Sequence, residues 1–252
     1  MPYSAYLFYK WAGHPGAPED GFGAALDPDG VVEQARLLIG RYGFRSIKLK
    51  GGVFPPEQEV EAVHALREAF PEHPLRLDPN AVWSVETSIR VGRELDGVLE
   101  YLEDPAEGIE NMARVAAEVP MPLATNMCVV TPEHIPPAVR QGAIGVLLTD
   151  HHYWGGLVRS AHIATLCETF GIELSMHSNS HLGISLAAMT HLAAATPRSR
   201  TPATPTPPGR TVRTWSPHLR AVRARCGSWT ARSRCRTAPV SGWNSTATPS
   251  QS

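Results

Sequence analysis

Residues 47–52 read IKLKGG, and this stretch decides the fold. Its alternation of apolar and basic residues predicts a β-strand in which Lys48 and Lys50 point to the same face. Lysine is seldom buried without a function, and two adjacent ammonium groups destabilise each other's charge, which favours a neutral amine that can act as a base. For this pattern alone, a solvated basic strand face is the better interpretation. The polar residues at the ends of later strands reverse that preference.

The first 197 residues alternate short apolar runs with helical patterns. Proline, glycine and capping residues such as Ser84 and Thr131 mark the helix ends. Seven strand–helix units predict parallel strands and an α/β fold, a TIM-like barrel of the (β/α)7β type that is incomplete, with about seven strands. The predicted strands are residues 4–9, 47–50, 75–78, 99–103, 123–126, 146–149 and 172–176. The predicted helices are residues 31–42, 55–70, 84–96, 109–119, 131–142, 157–170 and 184–195.

Six of the predicted strands end at or beside a residue capable of chemistry. In a parallel barrel, catalytic groups come from the carboxyl ends of different strands. Three consecutive strands supply Asp78, Glu103 and Asn126, whose oxygens suit a hard cation such as Mg²⁺. One aspartate could be a helix cap, but three such residues beside a lysine pair and a histidine are better explained as a site. The full set is Lys50, Asp78, Glu103, Asn126, Asp150 and His177.

The charge of the chain is divided unevenly along its 252 residues. Residues 1–197 hold all 24 acidic residues and 13 of the 23 Lys and Arg, whereas residues 198–252 hold ten Arg and no acidic residue. This Arg, Pro, Ser and Thr-rich tail has no helical or strand period and little to bury, so it is predicted to be disordered. Its composition resembles a GC-rich gene read out of frame. The alternative is a basic arm that binds nucleic acid through Trp215, Trp229 and Trp243. The first interpretation is preferred, so no nucleic-acid partner is expected.

Four cysteines, Cys128, Cys167, Cys226 and Cys235, show neither a C-x-x-C motif nor a secreted disulfide framework. They are interpreted as reduced thiols. The sequence shows no signal peptide and no apolar run long enough to cross a membrane. A cytoplasmic enzyme without a membrane partner is therefore expected, and the sequence allows a homo-oligomer.

In the stretches around the strand-end residues, the sequence resembles the enolase superfamily and, within it, the glucarate dehydratase group. The resemblance covers about residues 1–197, a barrel domain distinct from the tail at 198–252. It is carried by KLKGG (48–52), LDPNAVW (77–83), YLEDP (101–105), LATNM (123–127), TDHHYW (149–154) and MHSNSHLGISL (176–186).

The resemblance implies two acid/base groups on opposite faces of a substrate. Lys50 would be one, with Lys48 tuning its pKa. His177 would be the other, with Asp150 fixing its tautomer and supporting its cation. Asn80 would face the site.

The resemblance also implies a Mg²⁺ site. Asp78 and Asn126 would be two ligands, and Glu103 is the preferred third. Glu107, which follows the E-D-P sequence, is the alternative third ligand.

The implied reaction is that of a hydro-lyase acting on a small acid sugar, D-glucarate or an epimer. A base removes the proton α to a carboxylate with the help of Mg²⁺, and the β-hydroxyl leaves as water to give a keto-deoxy-glucarate. A related acid-sugar dehydratase or racemase is one alternative. Another is an inactive barrel fragment from a disrupted gene, because the family carries an N-terminal capping domain and an eighth strand that this sequence is expected to lack. His151, His152 and His181 are candidates to line the pocket.

Overall fold

A computed structural model describes residues 3–13, 21–178, 181 and 183–196 of the chain. Strands and helices alternate throughout this part of the chain. The strands are β1 (Ser4–Phe8), β2 (Ser46–Lys50), β3 (Leu75–Asp78), β4 (Tyr101–Glu103), β5 (Leu123–Thr125), β6 (Val146–Thr149) and β7 (Glu173–Met176). The helices are α1 (Pro28–Tyr42), α2 (Pro56–Ala69), α3 (Val85–Glu94), α4 (Gly108–Ala116), α5 (Ile135–Gln141), α6 (Leu157–Thr169) and α7 (Gly183–Ala195). Residues 198–252 lie outside the described residues, so disorder of this segment remains a prediction.

The strands form one sheet in which each pairs in parallel with the next along the chain. Within the described residues the sheet contains seven strands, with β1 and β7 at its two edges. The strand–helix alternation and this order curl the sheet in the manner of a TIM barrel. The predicted α/β fold is confirmed.

The two faces of the sheet are buried differently. The main apolar core fills the space between the sheet and the helices, with residues such as Leu49, Leu77 and Leu102 at 0% exposure. The opposite face carries Lys48 and Arg76, which stand beside each other in the register of β2 and β3 and are each 1% exposed. A sheet covered on both faces explains why β6 (VLLT) is a continuous apolar run, whereas β2 (SIKLK) and β3 (LRLD) alternate because their inner face carries charged residues. The charged residues mark the inner face of the curled sheet.

Local capping chemistry sets several helix ends. The Ser84 hydroxyl accepts a hydrogen bond from the Thr87 amide at 3.1 Å, which confirms the predicted cap of α3. The predicted helix over residues 131–142 instead begins with a short 3₁₀ turn, Pro132–His134, before α5. The prolines in this region lack the amide donors that a continuous helix would use, so its start tightens into a 3₁₀ turn.

The loop after β2 is fixed by a buried carboxylate. Glu59 in α2 is 0% exposed, and its two oxygens accept hydrogen bonds from the amides of Gly52, Val53 and Phe54 at 2.8–3.0 Å. Gly52 has a φ of +75°, and a Cβ there would lie 2.3 Å from the Pro79 carbonyl oxygen. Only glycine fits this turn without strain. The turn carries the chain away directly after Lys50.

Candidate active site

Lys48 lies at the centre of a buried charged cluster formed by β2, β3 and β4. Its Nζ lies 2.8 Å from Oδ2 of Asp78 and donates a hydrogen bond to Oε1 of Glu103. The side chains of all three residues are at most 1% exposed. The Nζ also lies 5.0 Å above the centre of the Tyr6 ring. A cation that is desolvated to this extent is held by its two carboxylates and by the ring.

Lys50 reaches the same carboxylate from the end of β2. Its Nζ donates to Oδ2 of Asp78 at 2.7 Å and to Oδ1 of Asn80 at 2.6 Å. The Lys50 side chain is 21% exposed, so this ammonium group faces solvent while Lys48 does not. The two lysines therefore share one face, as the sequence predicted, but occupy different environments.

The surroundings of Lys48 favour its charged form, whereas the sequence predicted a neutral amine. Burial alone would lower the pKa of Lys48, but the charges of Asp78 and Glu103 raise it well above its ordinary value. The expectation that the lysine pair favours a neutral amine is therefore wrong for Lys48. The reason is that two carboxylates from the next two strands outweigh the second ammonium group.

The pKa values of Asp78 and Glu103 depend on burial and on the charges around them. Burial alone would raise the pKa of Asp78, but Lys48 and Lys50 lower it below its ordinary range. Burial and the charge of Asp78 raise the pKa of Glu103. Among the described residues, Oε2 of Glu103 is buried and has no hydrogen-bond partner. A buried carboxylate oxygen without a donor, beside a second carboxylate, fits a divalent cation that prefers oxygen ligands.

Asn126 and His177 connect this cluster to a second polar group. Nδ2 of Asn126 lies 3.1 Å from Nε2 of His177, and Nδ1 of His177 lies 3.4 Å from Oδ2 of Asp150. Burial lowers the pKa of His177, although Asp150 opposes this effect. Burial alone would raise the pKa of Asp150, but the surrounding side chains of His177, His181 and His152 lower it below its ordinary value. His177 and Asp150 thus lie together as the resemblance implied.

Asp104 belongs to the site, and the sequence reasoning missed it. It is fully buried directly after Glu103, and its Oδ2 accepts a hydrogen bond from the Asn126 amide at 2.9 Å. Its Oδ1 accepts the hydroxyl of Thr125. Burial and the charge of Asp78 raise the pKa of Asp104 to about 7. The signal available in the sequence was the pair of adjacent acids in E-D-P, of which only the first was assigned a role.

The two candidates for the third metal ligand lie in different surroundings. Glu103 ends β4 beside Asp78, whereas Glu107 is exposed at the residue that precedes α4. Among the described residues, the Glu107 side chain makes no capping hydrogen bond to α4. These positions favour Glu103, because its carboxylate and that of Asp78 contact the same Lys48 ammonium group.

Polar residues from the ends of successive parallel strands define the chain as a TIM-like barrel protein with a strand-end site. Residues 30–231 match the family described as "Enolase C-terminal domain-like". The chain belongs to this family, within the enolase superfamily. The match begins after β1 and extends beyond residue 197. The domain boundary at residue 197 stays a prediction.

Three similar proteins span longer sequences than this chain. A protein of Streptomyces coelicolor named "Probable glucarate dehydratase" is 64% identical over 200 residues, which are 78% of this chain and 46% of that protein. An enolase of Thermobispora bispora, solved with magnesium and formate, is 78% identical, with a TM-score of 0.79. The match covers 86% of this chain and 49% of the enolase chain. A Mycobacterium smegmatis enolase solved with tartrate is 62% identical, with the same TM-score and coverages. The chain thus spans about half the length of these relatives.

Among the described residues, no helix combines the length and the hydropathy that crossing a bilayer requires.

Proposed function

We propose that this chain carries the barrel site of an acid-sugar dehydratase of the glucarate type, a hydro-lyase acting on D-glucarate or an epimer. The observation that carries the proposal is the presence of two acid/base groups, here called arms, at the strand ends. One arm is Lys50 with its contact to Asp78, and the other is His177 with its contact to Asp150. The contact between Asn126 and His177 connects the second arm to the end of β5. The 64% identical Streptomyces coelicolor protein supports the glucarate assignment.

The two arms divide the proton transfers of the elimination. One base, Lys50 or His177 according to the configuration of the substrate, takes the proton from the carbon α to the substrate carboxylate. The C–H electrons form the new C=C bond, and the C–O bond to the β-hydroxyl breaks. A proton from the other of these two residues, acting as the general acid, lets that hydroxyl leave as water. The resulting enol tautomerises to the keto-deoxy acid. Asp150 orients His177 and supports its protonated form.

Asp78, Glu103 and Asn126 are the residues that would hold Mg²⁺. When bound, the ion supplies positive charge beside the substrate carboxylate, where negative charge develops as the proton leaves. Oε2 of Glu103, which has no hydrogen-bond partner among the described residues, supports this ligand set. Asp104 would act as a positioning residue, because it holds the backbone amide of Asn126. Lys48 keeps the two carboxylates close together despite their repulsion.

The first experiment measures the dehydration of D-glucarate by the purified chain, with and without Mg²⁺. Turnover that depends on Mg²⁺ and falls at least about a hundredfold in both Lys50→Ala and His177→Ala would support the proposal. The control is His64→Ala, an exposed position on α2 that should leave turnover unchanged. A folded chain without turnover would favour an inactive barrel fragment. Turnover on another acid sugar alone would favour a related dehydratase or racemase.

The second experiment identifies the third metal ligand. Mg²⁺ binding is measured by isothermal titration calorimetry for Glu103→Gln and Glu107→Gln. We expect Glu103→Gln to weaken Mg²⁺ at least tenfold and Glu107→Gln to leave it unchanged, because only Glu103 shares a buried cluster with Asp78. The opposite result would assign the ligand to Glu107. Affinities unchanged from the parent chain in both variants would remove both residues from the site.

A further inference from the structure

Three histidines cluster with Asp150, and two of them approach the carboxylate oxygen that does not face His177. Nδ1 of His152 lies 2.6 Å from Oδ1 of Asp150, and Nε2 of His181 lies 3.5 Å from the same oxygen. The rings of His151 and His152 are stacked with centres 4.4 Å apart, and the His181 ring lies 4.4 Å from that of His152. One potential ligand atom from each of these four residues lies within 4.8 Å of the others. The arrangement brings three imidazoles and one carboxylate together.

The buried nitrogen of His181 is the independent sign of a ligand. The His181 side chain is 3% exposed, and its Nε2, which lies 3.5 Å from Oδ1 of Asp150, makes no well-formed hydrogen bond within the part of the chain that the structure describes. The buried Nδ1 of His151 also lacks one. Buried polar atoms normally find a partner, so two such nitrogens in one cluster call for an explanation. A bound cation would provide it.

We propose that Asp150, His151, His152 and His181 form a second metal site, which takes a borderline transition-metal cation such as Zn²⁺. Three imidazoles and one carboxylate are typical zinc ligands, whereas Mg²⁺ prefers oxygen ligands. The site is therefore chemically distinct from the oxygen-rich set at Asp78 and Glu103.

The geometry needs only small side-chain movements to accept the ion. In a tetrahedral zinc site with bonds of about 2.1 Å, neighbouring ligand atoms are about 3.4 Å apart. The separation of 3.5 Å between His181 Nε2 and Asp150 Oδ1 is close to this value. The 2.6 Å separation between His152 Nδ1 and the same oxygen is a hydrogen-bond distance and must widen by about 0.8 Å. The remaining ligand atoms must approach by up to about 1.5 Å, a movement within reach of χ rotations of His151 and His152. The His152 side chain is 53% exposed, which gives the ion a path from solvent.

Ser185 marks the rim of the site. Its hydroxyl lies 3.2 Å from Nε2 of both His151 and His152. The hydroxyl can donate to one of these nitrogens and accept from the other, so Ser185 occupies the Nε2 atoms and leaves Nδ1 of both rings for the cation.

One consequence rests on the proposed function. Asp150 presents Oδ1 to the metal site and Oδ2 to His177. A cation on Oδ1 withdraws negative charge from the carboxylate that supports His177, so Zn²⁺ in excess should reduce dehydration. The binding of Zn²⁺ itself is measured without substrate, so it can succeed or fail independently of the dehydratase assignment.

The test is isothermal titration calorimetry of Zn²⁺ into the full chain, purified without a histidine tag. We expect one Zn²⁺ per chain, with affinity reduced at least tenfold in His152→Ala and in His181→Ala. His64→Ala is the control and should bind as the unchanged chain does. Binding through the cysteine thiols would be the same in every variant and so cannot imitate the expected pattern. Because His152 is exposed, its variant should fold even if His181→Ala does not, which circular dichroism would reveal.

Two results would overturn the proposal. Unchanged Zn²⁺ affinity in a folded His152→Ala variant would show that the cluster does not bind the ion. Loss of Zn²⁺ binding in Glu103→Gln, with the histidine variants unaffected, would place the ion at the carboxylate cluster instead.

Discussion

Glu59 is the buried carboxylate that holds the loop after β2, and its replacement tests how much that loop depends on it. In Glu59→Ala, the amides of Gly52, Val53 and Phe54 lose acceptors at 2.8–3.0 Å. A hydrogen bond to a charged group contributes about 1.5–3 kcal/mol, and three would not add fully. Val53 is 59% exposed, so water can replace part of the loss at its amide. We expect a destabilisation of about 3 kcal/mol.

Urea unfolding followed by circular dichroism measures this change as a shift in the midpoint. Glu61→Ala is the matched control, because Glu61 lies on the same helix with an exposed side chain and should change stability by less than about 0.5 kcal/mol. Glu59→Gln keeps the shape but loses the charge and turns one acceptor into a donor, so an intermediate loss is expected. A Glu59→Ala variant within about 0.5 kcal/mol of the unchanged chain would refute the reasoning.

Three further predictions concern stability and use the same unfolding measurement. Burial and the nearby charge of Glu100 raise the pKa of Glu173 from 4.5 to about 7. The folded chain therefore holds this proton more tightly than the unfolded chain, and stability should fall as pH rises between these values. Glu173→Gln should remove that fall and be more stable on the order of 1 kcal/mol at about pH 8, after allowance for solvent screening; an unchanged pH slope would contradict this. Gly52→Ala should cost more than about 2 kcal/mol, because it combines a φ of +75° with a clash against Pro79. Gly40→Ala, at an exposed position of α1 with nothing within 4 Å, should instead stabilise by about 0.5–1 kcal/mol, and effects of the same sign at both glycines would count against this account.

The strands could be predicted because they are short segments, either uniformly apolar or alternating, and six of them end at or beside a residue capable of chemistry. Both faces of the sheet are covered, so runs such as residues 146–149 are uniformly buried and stand out from the helical patterns around them. The same pattern located Asp78 and His177, since the carboxyl ends of parallel strands meet at one edge. What the sequence predicted well was the direction and order of the strands.

Contacts between side chains of different strands could not be predicted from the sequence. The spacing of Lys48 and Lys50 correctly gave a shared face, but it could not show that Lys48 lies between Asp78 and Glu103. The sign of the Lys48 pKa shift depends on those partners and not on the neighbouring lysine. Asp104 was missed for a related reason, because its role is to hold the Asn126 amide on the next strand.

Backbone strain is concentrated at the same strand ends as the candidate site. Among the described residues, the non-glycine residues with positive φ are Asn80, Ala81 and Asp104, at 61°, 60° and 38°. Asn80 and Ala81 lie in the turn after β3, and Asp104 directly follows β4. The Ala81 amide donates to the Asp104 carbonyl at 2.7 Å. Such conformations cost about 1–3 kcal/mol each and persist where the surroundings impose them, often at functional sites.

This coincidence leads to a prediction in which stability and binding change in opposite directions. Ala81→Gly removes the steric cost of a positive φ, partly offset by the greater freedom of glycine in the unfolded chain, and should stabilise by about 0.5–1 kcal/mol. Ala161→Gly, inside α6, is the control and should destabilise by about 1 kcal/mol. If the strained turn positions Asp78 and Glu103, then Ala81→Gly should also weaken Mg²⁺ in calorimetry, because the freed backbone no longer holds the two strand ends in one geometry. A stabilised variant with unchanged Mg²⁺ affinity would show that the strain has no role in metal binding.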